Sequence, residues 1–171
     1  MIKHLWSIVT YFCKSHAATD ALNKAHKSLD IQCGLKGIGK TWFATICIST
    51  LSLQCCLPAL CHIIDSGQVK FPSHKSHLSG LLRSGSPRSL EFELQISCYV
   101  LIVAPIAKSI ACLELLQADL SDIGLYYFAI GSTIKQTFDS NNNPFMIEES
   151  GQICGIFNSW FRKALSEGPT Q

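Results

Sequence analysis

Charged side chains are scarce in this sequence. They make up 15% of the 171 residues, whereas a typical soluble domain carries about 25%. The formal net charge is only +2, so bulk electrostatics alone does not predict binding to nucleic acid. With 47% hydrophobic residues, the chain is long enough for one domain with a substantial core. So little charge indicates that part of its apolar surface packs against another molecule.

The cysteines lack any regular spacing. Their number is odd, no C-x-x-C pair occurs, and no signal-peptide pattern opens the chain, so a secreted disulfide framework is not expected. The group formed by Cys55, Cys56, Cys61 and His62 lacks the spacing of structural zinc ligands. We therefore predict small buried residues on apolar faces and no metal site. The nine cysteines are Cys13, Cys33, Cys47, Cys55, Cys56, Cys61, Cys98, Cys112 and Cys154.

Long apolar runs free of polar interruptions are absent as well. Residues 42–64 are mostly apolar but contain Gln54 and Pro58, and the apolar stretch 98–116 contains Lys108. A membrane-spanning helix needs about 20 apolar residues with few polar ones among them. Both stretches are therefore predicted to be buried helices of a soluble bundle, and no membrane partner is expected. A small membrane protein built on these two stretches is one alternative.

One short motif stands out against this background. Residues 34–41 match the P-loop pattern G-x-x-x-x-G-K-[ST] without a mismatch. By chance the string would occur roughly once in a couple of hundred chains of this size. In a nucleotide site its amides would cradle phosphates, Lys40 would reach them and Thr41 would bind magnesium. A small P-loop nucleotide-binding protein that uses Gly34, Gly39, Lys40 and Thr41 is therefore a second alternative.

The surroundings of this motif do not favour nucleotide binding. A P-loop lies where a buried strand ends and a helix begins, but residues 25–33 are polar at every second position and lack a continuous Val/Ile run. A magnesium carboxylate should end a later apolar strand. Asp65 ends the nearest candidate, which contains His62 and follows Lys40 too closely for an intervening helix and strand. The glycines are better explained as a turn between two helices.

Apolar residues at intervals of three and four predict an all-α fold, an irregular bundle of about four to five helices. Strand signals are sparse, and we treat residues 1–171 as a single helical unit. The segment 66–88 is rich in Ser, Gly, Pro, Lys and His and is predicted to be a flexible surface loop. The last helix should bury Ile153, Ile156, Phe157, Trp160, Phe161 and Leu165 along one side. The predicted helices run over about 5–29, 41–64 with a kink or interruption at Pro58, 90–116 with a bend at Pro105, 120–138 and 153–165.

Several blocks of the sequence resemble one protein family in the same order. The central block is Gly37–Thr45 (GIGKTWFAT), followed by Leu51–Gln54 (LSLQ) and Cys56–Leu60 (CLPAL). Together with the flanking blocks they resemble the middle helical region of fungal hAT-like DNA transposases, over most of the chain. The flanking blocks are Tyr11–Phe12, Ser15–Thr19 and Leu22–Asn23 before it, and Pro105–Glu114, Asp119–Leu120, Tyr127–Ile130, Asn158 and Phe161–Arg162 after it.

The resemblance implies an inactive fragment. The hAT transposases cut DNA with a D-D-E triad that holds two metal ions on an RNase H-like fold, and this chain looks like the helical insertion between the second Asp and the Glu. The two Asp residues would lie before Met1, and the Glu and the dimerisation region after Gln171. No catalytic residue, cofactor or metal ligand is therefore assigned. The acids are predicted to be solvated or capping residues: Asp20, Asp30, Asp65, Asp119, Asp122, Glu114, Glu148 and Glu149.

The resemblance also implies a location and partners. Transposases of this family act in the nucleus, and their insertion places an aromatic residue beside an arginine near the DNA end, where it stacks on a flipped base. That Arg-Phe pair corresponds to Trp42-Phe43 here, so the phosphate-binding guanidinium is missing. DNA contact is predicted through Lys36, Lys40, Trp42 and Phe43. A second copy or a full-length transposase is the expected protein partner, and no small-molecule substrate is expected.

Overall fold

A computed structural model of the chain describes residues 1–39, 42–115 and 118–166. Over these residues the protein has seven helices and no β-strand. The all-α prediction is confirmed, although only four to five helices were expected. The helices are α1 (Ile2–Lys14), α2 (His16–Ser28), α3 (Trp42–Asp65), a 3₁₀ helix (Ser73–Leu81), α4 (Pro87–Leu115), α5 (Leu120–Asp139) and α6 (Ile147–Ser166).

The first predicted helix is divided in two at Ser15. This residue has extended backbone angles (φ −99°, ψ 107°), and its hydroxyl oxygen accepts a hydrogen bond from the Ala18 amide at 3.4 Å. Serine is a preferred N-cap because its side chain satisfies an amide that the helix leaves unpaired. The Thr19 hydroxyl donates to the Phe12 carbonyl across the break. The predicted apolar stripe is therefore shared by α1 and α2. The helical spacing of apolar residues continues across the break, so it does not show where one helix ends and the next begins.

The chain divides into two compact units, and the larger comprises Met1–Ala111. Its core is formed by apolar residues of α1, α2, α3, the 3₁₀ helix and the first part of α4. Helix α3 lies at the centre of this unit, with Leu53, Leu60 and Ile63 fully buried. Both α3 and α4 continue through their prolines, Pro58 and Pro105, without an interruption.

The segment 66–88 differs from the predicted surface loop. It contains the 3₁₀ helix, and four of its apolar side chains are buried in the core of the first unit. Most of its polar residues are exposed, so composition alone resembles that of a loop. A few apolar residues attach this polar segment to the core. The composition averaged over the whole segment therefore did not reveal that it packs against the core. The four residues are Val69, Phe71, Leu78 and Leu82.

The second unit comprises Cys112–Gln171, with α5 and α6 as its two complete helices. Helix α5 begins with a reciprocal capping box between Asp119 and Asp122. The Tyr127 hydroxyl of α5 donates a 2.5 Å hydrogen bond to the Phe157 carbonyl of α6. The rings of Phe138 and Phe145 pack edge-on near the loop that joins the two helices. Helices α5 and α6 are therefore antiparallel. Among the described residues of this unit, the buried apolar side chains are Ile130 and Ile134.

Helix α6 does not bury its predicted apolar side. Ile156 remains 49% exposed and Trp160 57% exposed, while Ile153 and Phe157 are only partly buried. The predicted side chains of Phe161 and Leu165 lie outside the described residues. Two packed helices cannot enclose all the apolar residues that both carry, so periodicity identified the helix correctly but not its burial.

Candidate functional site

The glycine-containing segment 33–39 lies along the side of α3. A disulfide joins Cys33 to Cys55, and the backbone amide of Lys36 donates a 2.9 Å hydrogen bond to the Ser52 hydroxyl. The residue numbers of the segment increase as those of the helix decrease, so the two run antiparallel. The segment is therefore attached to the third and fourth turns of α3.

Two further contacts extend this attachment towards the start of α3. The Ser49 hydroxyl donates a 2.8 Å hydrogen bond to the Lys36 carbonyl. A Cβ added at Gly39 would approach the Thr45 methyl group to 3.1 Å, which is closer than an ordinary van der Waals contact. A side chain at residue 39 would require the Thr45 methyl group to shift by a few tenths of an ångström, so a glycine suits this position without any phosphate.

This geometry differs from that of a nucleotide-binding loop. A P-loop wraps its amides around one phosphate at a helix N-terminus. Here the Lys36 amide is engaged with Ser52, and no strand precedes the segment anywhere in residues 1–39. Lys40 and Thr41, the two residues of the motif that would contact phosphate and magnesium, lie outside the described residues. The Lys36 amide is therefore not free to bind a phosphate in this structure.

We expect no saturable binding of ATP in the presence of magnesium. The physical reason is that the Lys36 amide is already hydrogen-bonded and the segment lies beside the helix. Isothermal titration of the full chain with Mg·ATP should give no fitted site below about 1 mM, which corresponds to roughly −4 kcal/mol. Lys40→Ala should give the same trace. Tight binding that Lys40→Ala abolishes would restore the nucleotide interpretation.

The predicted DNA-contacting residues are only partly placed. The side chain of Lys36 is exposed at the segment, while its backbone is held by Ser49 and Ser52. Lys40 lies outside the described residues. The backbones of Trp42 and Phe43 begin α3, and their side chains lie outside the described residues. Of these four residues only Lys36 has a described side chain, and the DNA contact stays a prediction.

The acids that are described in most detail have local structural roles. Asp65 accepts a hydrogen bond from the Ser84 amide, and Asp30 accepts one from the Gln32 side chain. Glu149 accepts one from the Met146 amide just before α6. In the described part of the chain, no group of three or more His, Cys, Asp or Glu side chains could hold a metal ion. Of these acids, Asp65 and Glu149 accept backbone amides, and Asp30 pairs with a side chain.

The cysteine prediction is wrong for most positions. Only Cys47 and Cys56 are buried, whereas the thiols of Cys13, Cys112 and Cys154 are exposed. Cys33 and Cys55 also form a disulfide, although no disulfide was expected. Its partners are 22 residues apart, on a helix and on a segment without regular structure. Nothing in the sequence spacing indicates that these two positions meet.

A third cysteine adjoins this disulfide. The Cys56 sulfur lies 3.9 Å from the Cys33 sulfur and 4.0 Å from the Cys33 carbonyl oxygen. Burial raises the pKa of the Cys56 thiol to about 11, since a low-dielectric interior disfavours the thiolate. The thiol is therefore almost entirely protonated near neutral pH. A thiol at this distance from a disulfide can act as a nucleophile when it loses its proton.

The second unit contains a cleft of about 730 Å³ between α5 and α6. Its walls are mainly apolar, with Tyr127, Ile134, Phe138 and Phe157 among them. Lys135 is a charged residue at its margin. Its other polar lining residues are Ser132, Asp139, Ser150 and Asn158. We assign no ligand to it.

Two helices are long and apolar enough to cross a membrane by length and composition. The first, Ala44–Asp65, has a mean hydropathy of 1.7 and is 56% buried, as a core helix would be. The second, Pro87–Glu114, has a mean hydropathy of 2.0 but is only 11% buried. Most residues between 97 and 110 of this second helix are intermediate in exposure, so its apolar surface is only partly covered within the described residues.

Comparison with protein-family models, curated proteins and solved structures finds no match to this chain.

Proposed function

We propose that this chain is a non-catalytic helical module, similar to the middle region of hAT transposases, that acts in the nucleus by associating with a second copy of itself. The observation that carries the proposal is the exposure of large apolar side chains on α6, where Ile156 is 49% and Trp160 57% exposed. Exposed apolar surface of this kind is typical of protein interfaces. The transposase resemblance supports a role in pairing.

Exposed and partly exposed residues of α6 form a continuous seam. Ile153, Ile156 and Trp160 follow Glu149 at intervals of four, three and four residues. This spacing places all four on one side of a helix, as in the seam of a coiled coil. Phe157 instead contacts α5 through its carbonyl group. We call the four residues Glu149, Ile153, Ile156 and Trp160 the α6 seam.

The charges at the two ends of α6 favour an antiparallel second copy. Glu148 and Glu149 occupy its first turn, while Arg162 is exposed near its other end. Two copies that run antiparallel across Ile156 would bring the acidic end of each beside the basic end of the other. Such an arrangement has two-fold symmetry, the commonest symmetry of protein dimers, and complementary charges set its orientation.

DNA association is a secondary part of this proposal. It rests on the transposase resemblance and on the exposed side chain of Lys36. A dimer would present two copies of this lysine, which would double the number of phosphate contacts. Pairing with a full-length transposase would use the same α6 seam.

Membrane association is the second candidate, because one specific observation favours it. Pro87–Glu114 combines a mean hydropathy of 2.0 with 11% burial, whereas a core helix of a soluble protein is mostly buried. Arg88, Glu91 and Glu93 lie near its start and Lys108 near its end. These charges leave about 14 residues between Glu93 and Lys108, which is short of the roughly 20 that span a bilayer. Self-association therefore remains our first proposal.

We expect the purified chain to be dimeric and the dimer to depend on Trp160. Large aromatic residues at the centre of an interface cost about 2 kcal/mol or more when truncated. Trp160→Ala should therefore weaken the dimer dissociation constant by about 30-fold or more, and Ile156→Asp should give monomers. Sedimentation equilibrium of the full chain over a range of concentrations measures both.

Ile147→Asp is the matched control. Ile147 is also an exposed isoleucine of α6, at 92%, but its position at the helix start lies off the seam. This variant should dimerise like the unmodified chain. Equal dissociation of both aspartate variants, or a monomeric unmodified chain, would contradict the proposal. Recovery of the chain only in detergent would support membrane association instead.

A further inference from the structure

Three cysteines of the first unit meet around one sulfur atom. Cys33 is bonded to Cys55, and its sulfur lies 3.9 Å from that of Cys56. Cys55 and Cys56 are consecutive residues of α3, so one rotation about the helix axis of about 100° separates their side chains. The segment that follows α2 and carries Cys33 therefore lies within reach of both Cys55 and Cys56.

The two neighbours of Cys33 differ in their access to solvent. Cys55 is exposed, whereas Cys56 is fully buried and Cys33 is intermediate. A disulfide between Cys33 and Cys55 therefore has one sulfur on the surface. A disulfide between Cys33 and Cys56 would be shielded from external thiols and would leave Cys55 as a surface thiol.

We propose that Cys33, Cys55 and Cys56 form a thiol–disulfide exchange site in which Cys33 changes its partner from Cys55 to Cys56 and releases Cys55 for modification by a low-molecular-weight disulfide. The inference rests on the positions of these sulfur atoms and is independent of the self-association proposed above.

The exchange is balanced within the protein. The Cys56 thiol first loses its proton to water that reaches it during a local opening of the segment, and the thiolate then attacks the Cys33 sulfur. The Cys33–Cys56 bond forms as the Cys33–Cys55 bond breaks, and Cys55 leaves as a thiolate that takes up a proton. One disulfide and one thiol are present before and after, so neither an oxidant nor a reductant is needed. Because Cys55 is exposed, water solvates the leaving thiolate.

The released Cys55 thiolate is then the modification site. Its attack on a low-molecular-weight disulfide forms a mixed disulfide at Cys55 and expels one small thiolate, so the second step is balanced as well. The segment stays attached to α3 throughout, because both pairings use Cys33 and the Lys36 amide remains bonded to Ser52. The exchange changes the exposed chemistry of α3 while its fold is kept.

The test uses the full oxidised chain without added reductant. N-ethylmaleimide is added under native conditions, and tandem mass spectrometry then locates the label and the disulfide. We expect labelling of Cys55 together with a Cys33–Cys56 linkage, more slowly than labelling of the exposed Cys13 and Cys112. Cys56→Ser should reduce labelling of Cys55 at least tenfold. An unlabelled Cys55 in the unmodified chain, or equal labelling in the variant, would overturn the proposal.

A second variant decides the matter if Cys56→Ser loses its helical circular dichroism. Cys55→Ser retains the buried Cys56 and removes the exposed partner. After oxidation with a glutathione buffer, its Cys33 and Cys56 should be linked and resistant to N-ethylmaleimide. Reaction of both cysteines with N-ethylmaleimide in folded, oxidised Cys55→Ser would show that Cys56 cannot reach Cys33 and would overturn the proposal.

Discussion

Phe12→Ala is expected to lower the free energy of unfolding of the first unit by about 3–5 kcal/mol, because it leaves a large cavity in a close-packed core. Phe12 is 2% exposed and packs edge-on against Phe71, with ring centroids 6.2 Å apart. It also lies beside Tyr11 and so connects α1 to the segment before the 3₁₀ helix. A loss of this size is a large part of the stability of a typical domain.

Urea denaturation followed by circular dichroism measures this change. Trp6→Ala is the control, because Trp6 is an aromatic residue of the same helix but is 50% exposed. Its loss should be about 1 kcal/mol or less, as most substitutions of exposed residues are mild. Similar losses in the two variants would show that α1 does not bury the face that contains Phe12.

Cys33→Ser is expected to have the second-largest effect, a loss of about 3 kcal/mol under oxidising conditions. The Cys33–Cys55 disulfide closes a loop with a sequence separation of 22, and removing such a closure restores chain entropy to the unfolded state. Because Cys33 is the partner common to both proposed disulfides, its loss removes either one. The measurement is chemical denaturation without reductant.

Two comparisons separate the disulfide from the side chain itself. Dithiothreitol should destabilise the unmodified chain by about the same amount and should leave Cys33→Ser unchanged. Oxidised Cys55→Ser should keep most of the stability, since Cys56 can replace the lost partner. An unfolding midpoint of the unmodified chain that does not respond to dithiothreitol would contradict a stabilising disulfide.

The segment 33–39 shows why the contacts around the glycine motif could not be predicted from the sequence. The sequence already showed that the P-loop motif lacks a preceding strand and a later magnesium carboxylate. Nucleotide binding was therefore not favoured. The actual partners of the segment, Ser49, Ser52 and Cys55, lie 13 to 22 residues away on α3. Two serines and a cysteine on an apolar helix carry no local signal of this role.

The proposed function also depends on which apolar side chains the fold leaves exposed. The resemblance to transposases was read from short blocks such as Gly37–Thr45, and the association that we propose now rests on the α6 seam. Periodicity placed Ile153, Ile156 and Trp160 on one side of a helix, and it predicted that this side is buried. The structure leaves it largely exposed, so the same pattern that indicated a core now favours an interface.

The sequence by itself determined that the chain is helical and approximately where its helices lie, because apolar spacing, caps and breakers act over a few neighbouring residues. Only the tertiary structure decided which apolar faces are covered, which cysteines meet, and how segment 33–39 lies against α3. Those outcomes depend on contacts between residues far apart in the chain, and no local pattern specifies them. Segment 33–39 lies along α3 because Lys36 and Cys33 have their partners on that helix.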